Sequence, residues 1–314
     1  MKQLITVVAA ILISTVSYAQ FQISASTGYA MGSAGMLTGT TTTTTSTENN
    51  YGSYGEGLNF QLRGTYFLNE KFGLELALGY LNGADQTINK TSVPGVAEVN
   101  AIARARAFGA STSMVYKFTE NFYGRIGALL KVGGKTEAVV SSRAYLSDPQ
   151  VAFFNSQIAG LDLDSGSYSQ TNYIEDFHGH FPLGFVGALG YKFDLDENFS
   201  LFVEAEYYGI SLKRKDSELA EFNTDIVSSN GTIKIPGYKS LDNLPSPSLE
   251  TMATNVFSNT TYVDELSHTE AAAQAAAIDA GDSSHSTELS QKVPYSSFGV
   301  NFGITYKFSG SSKK

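Results

Sequence analysis

The chain has 314 residues, a net charge of −9, no cysteine, 30 glycines, 20 phenylalanines and 18 tyrosines. The missing cysteines exclude disulfides, metal-thiolate centres and thiol nucleophiles, and the acidic balance argues against a polyanionic partner such as nucleic acid. Aromatic residues favour strands and glycine weakens helices, so the composition suits an all-β chain.

At the N-terminus Lys2 precedes an apolar run from Leu4 to Val16, followed by SYAQ with Ser17 and Ala19 at the small-residue positions of a cleavage site. This is the pattern of a secretory signal peptide over 1–19. The run is shorter than the roughly 20 residues that a membrane helix needs. A mature chain from Gln20, without a lipid anchor, is expected.

The first predicted strand, FQISASTGYAM, aligns Phe21, Ile23, Ala25, Tyr29 and Met31 on one face. GLNFQLRGTYF over 57–67 sets Leu58, Phe60, Leu62 and Tyr66 against Asn59, Gln61, Arg63 and Thr65, the period of two that marks a strand with one apolar side. FGLELALGY over 72–80 repeats it with Phe72, Leu74, Leu76, Leu78 and Tyr80 against Glu75. The alternation continues over 107–118, where Phe108, Met114 and Tyr116 share a face, and over 122–132, where Phe122, Ile126 and Leu130 oppose Tyr123, Arg125 and Lys131. It returns over 183–193, then over 199–207 with Glu204 and Glu206 on the polar face, and in the last run FGVNFGITYKF.

Eight such runs of roughly the 9 to 11 residues that cross a bilayer obliquely predict an all-β, eight-stranded antiparallel up-and-down transmembrane barrel. Connectors after the second, fourth and sixth strands are tight polar turns. Those after the first, third, fifth and seventh, 32–56, 82–101, 135–181 and 213–294, are long. That alternation is the pattern of an outer-membrane barrel with short periplasmic turns and four long extracellular loops. The barrel then occupies 20–308, with a C-terminal tail over 309–314.

Four descending strands end alike: TYFLNEK from 65, VYKFTEN from 115, GYKFDLDEN from 190 and TYKF from 305. Their aromatics are expected to form an inner girdle with Phe72, Phe122 and Phe199, and Tyr29, Tyr80, Tyr207 and Phe298 an outer one. Lys117, Lys192 and Lys307 recur on the lumen-facing side near the lower rim. A soluble lipocalin-like barrel would carry its apolar face inward, which the Gly, Ser, Thr, Asn and charged opposite faces disfavour.

On these residues the chain resembles the outer membrane β-barrel domain family, the small eight-stranded barrels that include the OmpA membrane domain and the OmpX/Ail group. The terminal strand GITYKF carries the local resemblance. It implies that Tyr306 and Phe308 are the signal read by the barrel-insertion machinery, and here SGSSKK follows Phe308.

With the apolar faces toward lipid, Arg63, Glu75, Arg125, Lys131, Glu204 and Glu206 point into the bore as a lumen ion-pair network. They read as a structural plug, or alternatively as the selectivity element of a narrow pore for ions or small solutes. Arg104, Arg106, Lys213, Arg214 and Lys215 lie where strands leave the membrane and are expected to meet lipopolysaccharide phosphates, or to be ordinary solvated loop charge. TGTTTTTTST over 38–47 reads as a flexible or glycosylated tract, and HTEAAAQAAAIDAG as a short helix ended by Gly281. DLDSGS departs from a calcium loop at Ser167 and Tyr173, and His178, His180, His268 and His285 all fall in loops without a third metal ligand. No catalytic, cofactor or metal site is assigned. The expected protein is a monomeric, non-catalytic outer-membrane protein of a Gram-negative bacterium whose surface loops serve adhesion, binding of an unknown extracellular ligand, or envelope integrity.

Overall fold

A computed structural model describes residues 21–243, 257–279 and 284–308. The signal peptide over 1–19, Gln20, Gly281 and the tail over 309–314 lie outside the described residues. The strands are β1 (Phe21–Gly32), β2 (Met36–Thr43), β3 (Thr47–Gly52), β4 (Gly57–Phe67), β5 (Phe72–Gly83), β6 (Gln86–Val93), β7 (Ala97–Lys117), β8 (Phe122–Tyr145) and β9 (Tyr168–Gly179). They continue as β10 (Leu183–Asp194), β11 (Phe199–Gly209), β12 (Ser211–Val227), β13 (Ile233–Ser240), β14 (Asn259–Val263), β15 (His285–Leu289), β16 (Lys292–Pro294) and β17 (Ser297–Lys307). Two α-helices, α1 (Asp148–Gln157) and α2 (His268–Asp279), interrupt them. No described helix is long and apolar enough to cross a membrane.

Among the described residues seventeen strands stand where the alternation predicts eight. The difference lies in the connectors, which the sequence reading treats as partly mobile loops and which are largely paired strands. Eight strands close on themselves: β1 pairs with β4, β4 with β5, β5 with β7, β7 with β8, β8 with β10, β10 with β11, β11 with β17 and β17 with β1, all antiparallel. The other nine extend the wall at the long-connector end. There β7 and β8 run on together as far as Ala97 opposite Ala144, β9 takes the free edge of β8, and β12 pairs along β9. On the other side β6 pairs with β7, and the β2–β3 hairpin lies with β2 parallel to β6. The threonine-rich tract is this hairpin, as β-branched side chains favour a pleated ladder over a flexible loop. β12 receives β16, β14 and β13 in turn along its second edge.

Polarity is inverted relative to a water-soluble barrel. Leu58, Phe60, Leu62, Leu76, Ile126, Leu189 and Phe302 are exposed on the outside of the ring, Leu76 at 67%. Their neighbours Gln61, Arg63, Glu75, Arg125, Glu204 and Asn301 are buried inside. At the short-turn end aromatic rings meet around the wall: Phe72 with Tyr116 at 4.8 Å, Tyr191 with Phe193 at 4.9 Å, Phe199 with Tyr306 at 5.0 Å and Phe21 with Phe308 at 5.6 Å. At the other end Tyr80 meets Phe108 at 4.8 Å and Phe185 meets Tyr207 at 5.7 Å. Phe72 and Tyr80 lie eight residues apart on β5. At about 3.3 Å per residue and a tilt of about 40° the apolar band between them is about 20 Å tall, near the height of an outer-membrane hydrocarbon layer.

The extension has cores of its own. Tyr54, Ala103, Ala105, Leu212, Val293 and Tyr295 pack above the ring, and Leu146, Val151, Phe154, Leu161, Leu163 and Ile226 pack α1 against the far end. Ser147 and Gln150 form a capping box that starts α1. Because the extension is hydrogen-bonded sheet, amide exchange over β8, β9 and β12 should be slow beyond the ring as well as within it. Hydrogen-exchange mass spectrometry checks this, and fast exchange throughout 211–227 would contradict the paired register.

Candidate functional site

The inward positions of β1, β4, β5, β8, β11 and β17 build one charged cluster across the bore. Each strand alternates faces, so Arg63, Glu75, Arg125, Glu204 and Glu206 all arrive inside at similar height, and glycine supplies the room. A Cβ on Gly28 would lie 2.1 Å from the Asn301 side chain, and one on Gly190 would lie 2.4 Å from the Tyr123 ring.

Glu204 is the hub and is completely buried. Its Oε2 accepts from Arg63 Nη1 at 2.9 Å and from the Tyr123 hydroxyl at 2.9 Å, and its Oε1 accepts from Arg125 Nη2 at 2.9 Å. Arg125 Nη2 also donates to Glu206, and Arg125 Nη1 stands 3.6 Å from Glu75. Neutral donors serve further oxygens: Gln61 Nε2 and Asn301 Nδ2 donate to Glu206 Oε2 at 2.7 and 2.5 Å, and Thr65 Oγ1 donates to Glu75 Oε2 at 2.9 Å, while Glu75 Oε1 has no hydrogen bond among the described residues. Arg63 adds a bond to Ser26 Oγ at 3.2 Å and stacks 4.9 Å over the Phe202 ring.

Lys131 does not join this cluster, contrary to the network read from the sequence. It sits about one level higher, beside a bulge where Gly109 faces Lys131 but Phe108 faces Gly133. There it lines a cavity of about 110 Å³ with Leu81, Leu129 and Leu212, its Nζ 5.8 Å from the Tyr295 ring centroid. The cluster therefore holds two arginines against three glutamates, not a balanced three against three. Gln61, Asn301, Tyr123 and Tyr208 complete it without having been singled out as members. Face parity with Arg63, Arg125 and Glu204 is the signal in the sequence that would have found them.

The basic residues expected at the rim are also engaged within the chain. Arg104 Nε donates to Glu137 at 3.1 Å, and Arg106 Nη1 donates to the Gly83 carbonyl at 2.9 Å. Lys213 pairs with Asp264, Lys215 with Asp216 at 2.9 Å, and the Arg214 guanidinium lies 4.7 Å over Phe177. They do not form one basic patch, because β7 and β12 carry them up into the extension. Burial pushes Glu137 up, but hydrogen bonds from Lys135 and Arg104 outweigh it and hold the carboxyl below its usual range. Its contribution to the extension is thus present above the unfolded carboxylate pKa and is lost as pH falls through the lower folded value.

Asp164, one of the two carboxylates of DLDSGS, accepts from the Ser229 backbone and from the Ser167 hydroxyl, so local donors occupy it. His178 Nδ1 lies 2.9 Å from Asp216. Among the described residues no group of three or more His, Asp or Glu side chains comes together as a metal ligand set.

No family model and no curated protein matches the chain. Among solved structures, a Pseudomonas aeruginosa FadL homologue is 8% identical over 92% of this chain and 89% of its own, with a TM-score of 0.22. The TodX deltaS2S3 mutant monoaromatic hydrocarbon channel is 10% identical over 92% of this chain and 90% of its own, with a TM-score of 0.20. Overlaps at those scores carry no argument about this chain.

Removing one member of a buried ion pair strands its partner at about 3–5 kcal/mol. Glu204→Gln should therefore destabilise the barrel by about that amount in denaturant unfolding from detergent micelles. Glu75→Gln should cost less than about 1 kcal/mol, because it removes the excess negative charge from a site where Arg125 keeps two other carboxylates.

Proposed function

We propose that the chain is a non-catalytic integral outer-membrane protein. Its ring β1, β4, β5, β7, β8, β10, β11 and β17 crosses the bilayer as an eight-stranded barrel, its bore is shut, and the β-extension is the working surface outside the cell. The observation that carries this reading is the inverted polarity of a closed sheet. Apolar side chains ring the outside between two aromatic belts, while Glu204 and Arg125 are buried at the axis. Closed barrels are one of two backbone architectures that leave no unsatisfied peptide group in hydrocarbon.

The apolar leader and cleavage pattern over 1–19 support export, and the aromatic terminal strand β17 with Tyr306 and Phe308 supports delivery by the barrel-insertion machinery. Ring closure leaves no free strand edge within the apolar band, which supports a monomer. Lys215 has the most exposed side chain among the basic residues for which an ion pair is described near the rim, at 59%, so any lipopolysaccharide contact is centred there.

A narrow pore is the second reading, and two obstacles stand in series against it. The Glu204 cluster fills the bore at mid-height, and Tyr54, Leu212, Val293 and Tyr295 pack across it above.

Purified protein refolded into planar bilayers should pass no steady current. Stepwise conductance whose size or ion selectivity changes with Arg125→Ala would favour the pore. In vesicles, Leu76→Arg should destabilise the protein by about 2–4 kcal/mol, the cost of a cation on the lipid face at mid-depth. Unchanged or raised stability would mean that this face meets water.

A further inference from the structure

We infer that the short-turn mouth of the bore is a binding site for a small oxyanion, a phosphate or carboxylate group, held by the lysines of the repeated Tyr-Lys-Phe strand ends. Three of the four repeats bring a lysine to this mouth from β7, β10 and β17, and the fourth places Phe67 at the equivalent position. Lys117 lays its Nζ 3.9 Å over the Phe67 ring, which leaves the ammonium poised at the wall without a carboxylate partner among the described residues. Lys192 and Lys307 share a single carboxylate oxygen, Asp194 Oδ1, at 3.3 and 2.8 Å. Glu120, in the turn, and Glu75, deeper in the bore, are the acidic groups that line the cavity beside them. The three ammonium groups exceed Asp194 and Glu120 by one charge, which the surplus carboxylate of the cluster above offsets from the far wall, so the mouth itself is the cationic end of the cavity.

The space they enclose has the chemistry of an acceptor site. It is a cavity of about 50 Å³ lined by Lys117 and Lys192 together with Gln22 and Arg63. Gln22 Nε2 and Arg63 Nε are both buried donors with no hydrogen-bond partner among the described residues, and each residue is more than nine-tenths buried. Buried N–H groups are rarely left unpaired, so this wall calls for an acceptor. Glu75 also lines the cavity: Thr65 donates to its Oε2, while its Oε1, 3.6 Å from Arg125 Nη1, has no hydrogen bond among the described residues, so an oxyanion has to sit on the lysine side of the cavity, away from it. At about 10–15 Å³ for each water-sized centre, the volume takes a few waters or one oxyanion head, not an extended molecule.

The site depends on the enclosed bore of the proposed barrel and not on whether the extension binds anything. Its test begins with protein shown to be folded by a heat-dependent shift in gel mobility, so that failure of the barrel and failure of the site are told apart. Titration of inorganic phosphate in neutral detergent, read by phosphorus NMR line width or calorimetry, should saturate. The double variant Lys117→Gln/Lys192→Gln should weaken binding by about tenfold or more, the loss expected for charge-assisted hydrogen bonds. Asp194→Asn, which frees Lys192 and Lys307 from their internal partner, should tighten it, while Lys131→Gln, higher in the bore, should leave it unchanged. Phosphate binding that vanishes in phosphatidylglycerol nanodiscs but persists in phosphatidylcholine ones would assign the site to a lipid headgroup, and binding retained in both would assign it to a free oxyanion. Folded protein that shows no saturable binding, or equal binding by the double variant, overturns the proposal.

Discussion

A sheet can turn its apolar side outward only if it closes, and only if what it encloses is satisfied. Both conditions meet in this ring. The cyclic pairing from β1 round to β17 leaves no backbone donor or acceptor at an open edge within the apolar band. The enclosed face then has to be polar, because the apolar residues have gone to the other side of every strand. Glycines on the inner face allow Asn301 and Tyr123 to reach the axis, where larger residues would collide with them.

That interior is organised by charge. Isolated ions in so narrow a space would be costly, and Glu204 answers this by accepting from Arg63, Arg125 and Tyr123 at once. Gln61 and Asn301 finish the coordination of Glu206, while Arg63 Nε and Glu75 Oε1, on the side toward the short-turn mouth, have no hydrogen bond among the described residues. A cluster of this kind joins strands that are not neighbours in the wall. It fixes the cross-section of the barrel as well as filling it. Below it the bore opens onto lysines and unpaired donors, and above it onto an apolar chamber, so the two ends of one small barrel present different chemistry.

The wall continues beyond the apolar band because its strands do. β7 and β8 have 21 and 24 residues, far more than a bilayer crossing requires, and their upper halves exchange exposed apolar side chains for a sheet with alanines on its inner face. β9 and β12 then carry the same pairing outward, so the extension inherits its direction from the ring. On the proposed placement in the outer membrane, a rigid surface held away from the bilayer in this way suits recognition of something outside the cell better than a set of tethered loops would.

The ring strands, their apolar faces, the aromatic ends and the inward charges were legible from period-two alternation, because in a closed sheet each residue has only two directions to point. Helix α2 was legible too, from its alanines. The nine strands of the extension were not. Ala101, Ala103, Ala105 and Ala107 do alternate with Ile102, Arg104 and Arg106, but alanine carries little apolar signal of a buried face, and the threonine tract has no alternation at all. Nor could parity assign height within the bore. Arg125 and Lys131 share a face in the sequence, but the level of each neighbour is set by cross-strand register. Only the tertiary structure brought Arg125 to Glu204, left Lys131 in an apolar chamber and gathered Lys117, Lys192 and Lys307 at one mouth. The sequence by itself determined which side of the wall each residue occupies, since that follows from the pleat. Pairing between distant strands decided which residues meet.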